Sequence, residues 1–141
     1  MSQLIEMLKV HEGVRSHVYV CSAGYETIAV GRNISESGLG LSDDEIDYLL
    51  QNDIDRCVAE LSREYPWFEK LDDARRDAII DIFFNLGATR FRGFRKALGY
   101  MEVQDYILAA HEFRDSIWAE QVKGRADTLT DMIETGSYGT P

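Results

Sequence analysis

Three side chains near the N-terminus have the types and the spacing that a hydrolytic site requires. Glu12 is followed after eight residues by Cys21, and Cys21 after five more by Thr27. A carboxyl group can donate a proton to a leaving group, and a thiolate or a hydroxyl can act on water or on the substrate. Glu12 ends an apolar run at helical spacing that Gly13 closes, so we expect its carboxyl at the end of a helix.

The β-forming residues that follow predict a hairpin carrying the other two side chains. Two short runs, 18–20 and 25–30, are rich in Val, Ile, Tyr and Thr, and a turn around Gly24 separates them. A hairpin centred there would set Cys21 opposite Thr27 on the same face of the sheet. The site would then lie where the first helix meets the hairpin.

Helices are predicted for the rest of the chain. Ser42 and Glu45 form a capping box that opens a long helix over about 43–62. Asp72 is a good N-cap for a strongly apolar helix that ends at Gly87. Three more helices are predicted at about 92–101, 103–115 and 123–134.

The composition limits the classes of protein to which the chain can belong. The 141 residues are 45% hydrophobic and 28% charged, which predicts one soluble domain with a real core. No apolar run is long enough to insert into a membrane, and the N-terminus lacks the pattern of a secretory signal peptide. Cys21 and Cys57 have no metal-ligand spacing and are expected to be free thiols. We therefore expect a monomer with no metal and no cofactor.

The charge is strongly acidic and unevenly spread. The formal net charge is −10, which makes nucleic acid an improbable partner. Residues 82–101 nevertheless carry Arg90, Arg92, Arg95 and Lys96 and no acid. This basic cluster could meet an anionic polymer, or it could be a solvated surface.

Motifs along nearly the whole chain resemble the T-even-phage type of lysozyme, glycoside hydrolase family twenty-four. The Glu, eight residues, Asp or Cys, five residues, Thr pattern is that family's catalytic signature, and the order and spacing of later motifs agree with it. The matching stretches are 5–15, 18–19, 24–25, 27–28, Gly31, 74–80, 84–87, 93–94, 116–118, 125–126 and 135–138.

The resemblance implies a mainly α, α+β fold with two lobes in a single lysozyme-like domain. A small lobe over about 13–50 would contain a three-stranded antiparallel sheet. Residues 1–12 and 63–141 would form the helical lobe, and the long helix from about 43 to 62 would join the two. The implied activity is hydrolysis of the β-1,4 bond between N-acetylmuramic acid and N-acetylglucosamine in bacterial peptidoglycan.

The resemblance also assigns roles to individual residues. Glu12 would be the general acid, and partial burial between lobes would keep a proton on it. Thr27 would position the attacking water, and Arg125 would orient Glu12. Phe84 and Asn85 match positions that contact the sugar chain, although Phe84 could equally be a core residue.

Cys21 occupies the position at which better-known family members have Asp. As a thiolate it could act as the base that activates water, or it could attack the anomeric carbon and give a retaining mechanism. It could also contribute little and be a small residue in a strand. The sequence leaves all three open.

Two further expectations concern residues outside this signature. Arg32 stands where family members often have His, and Asp53 matches the acid that pairs with it, so we predict an ion pair between Arg32 and Asp53. Trp67 and Trp118 are expected to be core residues rather than platforms for sugar.

The resemblance implies a place of action as well. An endolysin would be made in the host cytoplasm and act on peptidoglycan in the periplasm, whereas a virion-associated lysozyme would have a virion partner. Because cell walls are largely anionic, a charge of −10 opposes binding, and either a saline habitat or a virion partner would relieve this. The alternative function is a catalytically silent fold that binds peptidoglycan or another protein.

Overall fold

The computed structural model describes residues 2–139 and confirms a mainly helical α+β fold with a small antiparallel sheet. A helix that ends at Glu12 precedes the sheet, as the Gly13 stop predicts, and Gly13 has a φ of +82°. The first elements are α1 (Ser2–Glu12), β1 (Arg15–Val20), β2 (Glu26–Ala29) and β3 (Arg32–Asn33).

Helices make up the remainder of the described chain. The long helix and the helix capped by Asp72 are confirmed, and the three helices predicted after them are present with shifted ends. They are α2 (Asp43–Glu64), a 3-10 turn (Phe68–Lys70), α3 (Asp73–Leu86), α4 (Ala88–Arg92), α5 (Arg95–Glu102), α6 (Tyr106–Arg114), α7 (Ile117–Val122) and α8 (Gly124–Thr135).

The short helices α4 and α7 are additions to the predicted set. Gly87, with a φ of +81°, separates α4 from α3, and the hydroxyl of Ser116 caps α7 by accepting from the N–H of Ala119 at 3.1 Å. Both helices are too short to display a hydrophobic period, so the sequence pattern did not reveal them.

The chain forms two compact units, residues 1–49 and 50–141. The first unit contains α1, the sheet and the start of α2. The assignment of residues 1–12 to the helical lobe concerns how the units are arranged, and it stays a prediction.

The sheet has the strand order β1-β2-β3 and is antiparallel throughout. Tyr19 pairs with Thr27, so the predicted pairing of Cys21 with Thr27 is wrong by two residues. Cys21 instead lies beyond the strand end, where its N–H donates to the Tyr25 carbonyl at 3.0 Å. Because side chains alternate with a period of two, this shift leaves Cys21 and Thr27 on the same face.

The capping box at the start of α2 is present and has a further partner. The N–H and hydroxyl of Ser42 donate to the Glu45 carboxylate at 2.9 and 2.8 Å. Arg32 donates to the same carboxylate oxygen at 2.7 Å and to the Gly40 carbonyl at 2.9 Å. Arg32 therefore ties β3 to the segment that enters α2.

The ion pair predicted between Arg32 and Asp53 is replaced by two local pairs. Arg32 binds Glu45, and Asp53 binds Arg56 one helical turn away on α2. A partner on the same or the adjacent segment needs less ordering of side chains than a distant one, which favours these pairs.

The core lies in the second unit. Phe94, Phe113 and Trp118 form one aromatic cluster, with ring centroids 5.0 to 6.4 Å apart. Arg75 on α3 donates to the carbonyls of Ile133 and Glu134 at 2.6 and 3.1 Å, which satisfies the last turn of α8. The prediction that Trp118 is a core residue is confirmed, since it is 3% exposed.

We expect the contact between Arg32 and Glu45 to make the first unit sensitive to acid. Arg32, followed by Ser42, lowers the pKa of Glu45 from 4.5 to about 2. A lowered pKa gives a contribution to stability that is complete above about pH 4.5 and is lost as the pH falls towards 2. Replacing Glu45 by Gln should therefore lower the stability at neutral pH and flatten its pH dependence across this window.

The amide NMR signals of β2, followed during urea unfolding at several pH values, measure this effect. Glu36→Gln is the matched control, because Glu36 is exposed and has no ion pair within residues 2–139. Equal pH dependence of the Glu45→Gln protein and the wild type would contradict the prediction.

Candidate active site

Glu12 is the last residue of α1, and its carboxylate lies against the turn after β2. A Cβ atom placed on Gly31 would stand 2.8 Å from Oε2 of Glu12, so a larger residue there would displace the end of the Glu12 side chain. Gly31 also has a φ of +67°, which disfavours other residues. Glu12 is exposed on the first unit, and its burial between the lobes stays a prediction.

Cys21 opens the turn that joins β1 to β2. Its carbonyl accepts from the N–H of Gly24 at 2.9 Å, and Gly24 has a φ of +89°. A turn of this kind, closed by a glycine in the left-handed region, is one of the common three-residue hairpin loops. The turn folds the N–H groups of residues 23–25 back towards the partly exposed thiol of Cys21.

Thr27 lies in the middle strand and is the one buried side chain among residues 3–49, with 3% exposure. Tyr19 flanks it on β1 and Asn33 on β3. Its hydroxyl donates to the Tyr25 carbonyl at 2.8 Å. Because the hydroxyl proton of Thr27 is used in this bond, its oxygen remains free only to accept a hydrogen bond from another group.

The two thiols differ in their electrostatic surroundings. The backbone N–H of Tyr25, and then that of Ala23, lower the pKa of the Cys21 thiol below its ordinary value. Burial, and then the charges of Glu60 and Asp53, raise the pKa of Cys57. Cys21 is therefore the more readily ionised of the two.

This pair of side chains can orient a water molecule. Both the thiolate of Cys21 and the oxygen of Thr27 are hydrogen-bond acceptors on one face of the hairpin. A water that donates its two protons to them directs its lone pairs away from the sheet. Such a water is positioned for nucleophilic attack, and the thiolate can take one of its protons.

The second unit carries the other residues of the predicted site. Phe84 is 44% exposed, which excludes the core role that the sequence left open for it. Asn85 accepts from the indole N–H of Trp118 at 2.8 Å, so its amide NH2 remains available as a donor. Phe84 and Arg125 line a pocket of about 470 Å³ on this unit with Leu50, Ile54, Arg76, Asp77, Ile80 and Asp81.

Arg125 has a partner that the sequence reasoning missed. Its Nε and Nη2 atoms both donate to one oxygen of Asp81, at 2.9 and 2.6 Å. Asp81 precedes Phe84 by three residues on α3, so the two share a face of the helix. That spacing does not indicate Arg125, which lies 44 residues further along the chain than Asp81, so the sequence carried no signal for this contact.

Within residues 2–139, no three His, Cys, Asp or Glu side chains stand together as metal ligands would. No helix in the same range has the length and apolar character needed to cross a bilayer.

We expect the two thiols to react at different pH values. The thiolate is the reactive form, so the lowered pKa of Cys21 should let iodoacetamide modify it at a lower pH than Cys57. Mass spectrometry of both peptides over a pH series measures the two rates. The Cys57→Ser protein should keep the fast reaction and the Cys21→Ser protein should lose it, whereas identical pH profiles for both thiols would refute the assignment.

This chain is similar to one family model and to several known proteins. The model of the phage lysozyme family matches residues 9–131. Probable T4-type lysozyme 1 of Dictyostelium discoideum is 24% identical, over 97% of this chain and 96% of that protein. The endolysin of Acyrthosiphon pisum secondary endosymbiont phage 1 is 28% identical, over 91% of this chain and 86% of its own length.

A third relative is a component of a virus particle. The pre-baseplate central spike protein Gp5 of Enterobacteria phage T4 is 28% identical over 96% of this chain, which spans only 29% of that protein. The match to the family model covers well over half of the 141 residues. The chain therefore belongs to the phage lysozyme family.

Proposed function

We propose that this protein is a muramidase, which hydrolyses the β-1,4 bond between N-acetylmuramic acid and N-acetylglucosamine in bacterial peptidoglycan. The observation that carries the proposal is the hairpin that holds the Cys21 thiol and the Thr27 oxygen on one face. Membership of the phage lysozyme family supports a lysozyme-type activity. The reaction then needs one proton donor and one means of activating water.

Glu12 is the proposed proton donor. Its carboxylic acid protonates the oxygen of the departing N-acetylglucosamine while the bond from that oxygen to the anomeric carbon breaks. The water held by Cys21 and Thr27 forms the new bond from the opposite face, and its proton passes to the Cys21 thiolate. The configuration at the anomeric carbon is inverted, and both side chains then regain their starting protonation by exchange with solvent.

Phe84, Asn85 and Arg125 are proposed to serve binding and orientation. The exposed ring of Phe84 and the free amide of Asn85 suit a sugar that carries an N-acetyl group. Arg125 is proposed to orient Glu12. Its Nη1 atom has no hydrogen-bond partner within residues 2–139, so one edge of the guanidinium is available while Asp81 holds the other.

The relatives favour two settings for this activity. The endolysin relative supports lysis of the host from within, with synthesis in the cytoplasm and action on the periplasmic wall. The spike-protein relative supports a role in wall penetration with a virion partner. Purified virions that contain the protein would establish the second setting, and virions that lack it would establish the first.

Loss of the proposed acid should abolish lysis. We expect Glu12→Gln to reduce the clearing of permeabilised Gram-negative cells by about 10²- to 10⁴-fold, the usual contribution of general acid catalysis. Glu6→Gln is the matched control, because Glu6 is an exposed carboxylate on the same helix.

Clearing by the wild type should also rise when salt is added, since the net charge of −10 opposes binding to an anionic wall.

Retained clearing by the Glu12→Gln protein would contradict the assigned role of Glu12. No clearing by the wild type at any salt concentration, together with retained binding to purified cell wall, would instead establish a catalytically silent module.

A thiol in place of a carboxylate should limit the rate. A thiol ordinarily keeps its proton to a higher pH than a carboxylic acid does, so less of a cysteine than of an aspartate is in the basic form at neutral pH. Replacing Cys21 by Asp should therefore raise kcat/KM by about tenfold or more and move the optimum to lower pH. Replacing it by Ser should lower the rate by about 10²-fold, because an uncharged hydroxyl cannot act as the base.

Rates on a soluble peptidoglycan fragment as a function of pH test these expectations. NMR of the fresh product identifies its anomeric configuration, and we expect inversion for both the wild type and the Cys21→Asp protein. Retention by the wild type would instead indicate a covalent bond from the Cys21 sulfur to the sugar. An unchanged rate in the Cys21→Ser protein would exclude any part for the thiol.

A further inference from the structure

The second unit has two recesses that share Trp67 and Glu102 as lining residues, and together they are called the groove. Trp67 precedes the 3-10 turn and packs against the core, as predicted, but it is partly exposed, in contrast to the buried Trp118. The volumes of the two recesses are about 470 and 200 Å³. Tyr65, Arg92 and Arg95 line the larger recess, and Lys70, Gln104 and Tyr106 line the smaller one.

Several polar groups around Trp67 have no protein partner within residues 2–139. The indole N–H of Trp67 donates to no protein acceptor, whereas that of Trp118 donates to Asn85. The amide of Gln104 likewise has no hydrogen-bond partner there, and it extends from a residue with a φ of +63°. The groove therefore offers hydrogen-bond donors and acceptors beside exposed aromatic surface.

The charges in the groove favour an anion. Arg92 is occupied, because its Nε and Nη2 atoms donate to the Glu64 carboxylate at 2.6 to 3.1 Å. Lys70 and Arg95 form no ion pair within residues 2–139, and one acid, Glu102, accompanies them. The groove therefore keeps a net positive charge on a chain whose overall charge is −10.

This combination matches the chemistry of a cell-wall glycan. The C–H face of a pyranose ring is apolar and slightly positive at its hydrogens, so it suits the electron-rich face of an indole. Acetamido and hydroxyl groups at the ring edge suit the N–H of Trp67 and the amide of Gln104. Carboxylates of the stem peptides suit Lys70 and Arg95.

We propose that the groove around Trp67 is a second binding site for peptidoglycan, separate in its residues from the catalytic set. The proposal rests on the proposed function, because it takes the same polymer as ligand. A second contact on one polymer raises the local concentration of substrate. It also supplies attraction to an anionic wall, which the overall charge of this protein opposes.

The indole N–H signal of Trp67 gives a readout that needs no variant in the groove. Soluble peptidoglycan fragments with stem peptides are added to the isotopically labelled Glu12→Gln protein, which should leave the ligand intact. We expect the Trp67 signal to shift with increasing ligand, whereas the Trp118 signal reports on the catalytic set, because its N–H is hydrogen-bonded to Asn85. An unmoved Trp67 signal at millimolar ligand overturns the proposal, and so does an equal response to polyglutamate.

A neutral chitin tetrasaccharide separates the roles of the ring and of the cations. It should shift the same Trp67 signal with an affinity about three- to tenfold weaker and insensitive to salt. Equal affinity for the two ligands would overturn the assignment of Lys70 and Arg95 to the carboxylates.

Charge reversal tests the consequence for the enzyme. In the Lys70→Glu, Arg95→Glu protein, the KM for purified sacculi should rise about three- to tenfold while kcat stays unchanged. The same protein should hydrolyse a short soluble fragment, at saturating concentration, as fast as the wild type does. The Arg63→Glu, Lys96→Glu protein is the control, because it carries the same change in charge on exposed residues that form no ion pair within residues 2–139 and do not line the groove. An equal rise in KM in both proteins overturns the proposal.

The two proposals fail in different ways. Clearing by the wild type without a Trp67 shift overturns the second site and leaves the muramidase standing. A Trp67 shift in a wild-type protein that never clears cells overturns the muramidase and leaves a peptidoglycan-binding groove.

Discussion

The register of the β1–β2 hairpin is the constraint on which the candidate site depends. It places Tyr19 opposite Thr27, and the turn that begins at Cys21 then folds backbone N–H groups towards the thiol. If β1 paired with β2 one residue out of this register, the side chains of Cys21 and Thr27 would point to opposite faces of the sheet. Burial of Thr27 in the middle strand and the glycine at the end of the turn both specify the observed register.

The hairpin also explains how the base proposed for this site can be a thiol. A carboxylate is ionised at neutral pH without help, whereas a thiol needs donors to stabilise its charge. Backbone N–H groups of the turn provide that stabilisation, because they are fixed by the fold rather than by another side chain. Thr27 completes the arrangement as an acceptor, since its proton is held by the Tyr25 carbonyl.

The arginines that form ion pairs bind the acids that the fold places beside them. Arg32 pairs with Glu45 rather than with Asp53, and Arg125 pairs with Asp81. A chain with 25 acids and 15 bases offers every arginine several partners, so family position alone does not decide which one it meets. The cations that find no partner in the described chain, such as Lys70 and Arg95, are consequently informative.

The sequence by itself determined the elements, because caps, glycine stops and hydrophobic period are local signals: Gly13 ends α1, Ser42 and Glu45 open α2, and Asp72 opens α3. Through motif spacing it also determined the family. Tertiary structure alone decided the strand register, the partners of Arg32 and Arg125, and the exposure of Trp67. Those features depend on competition among residues far apart in the chain, which no local pattern records.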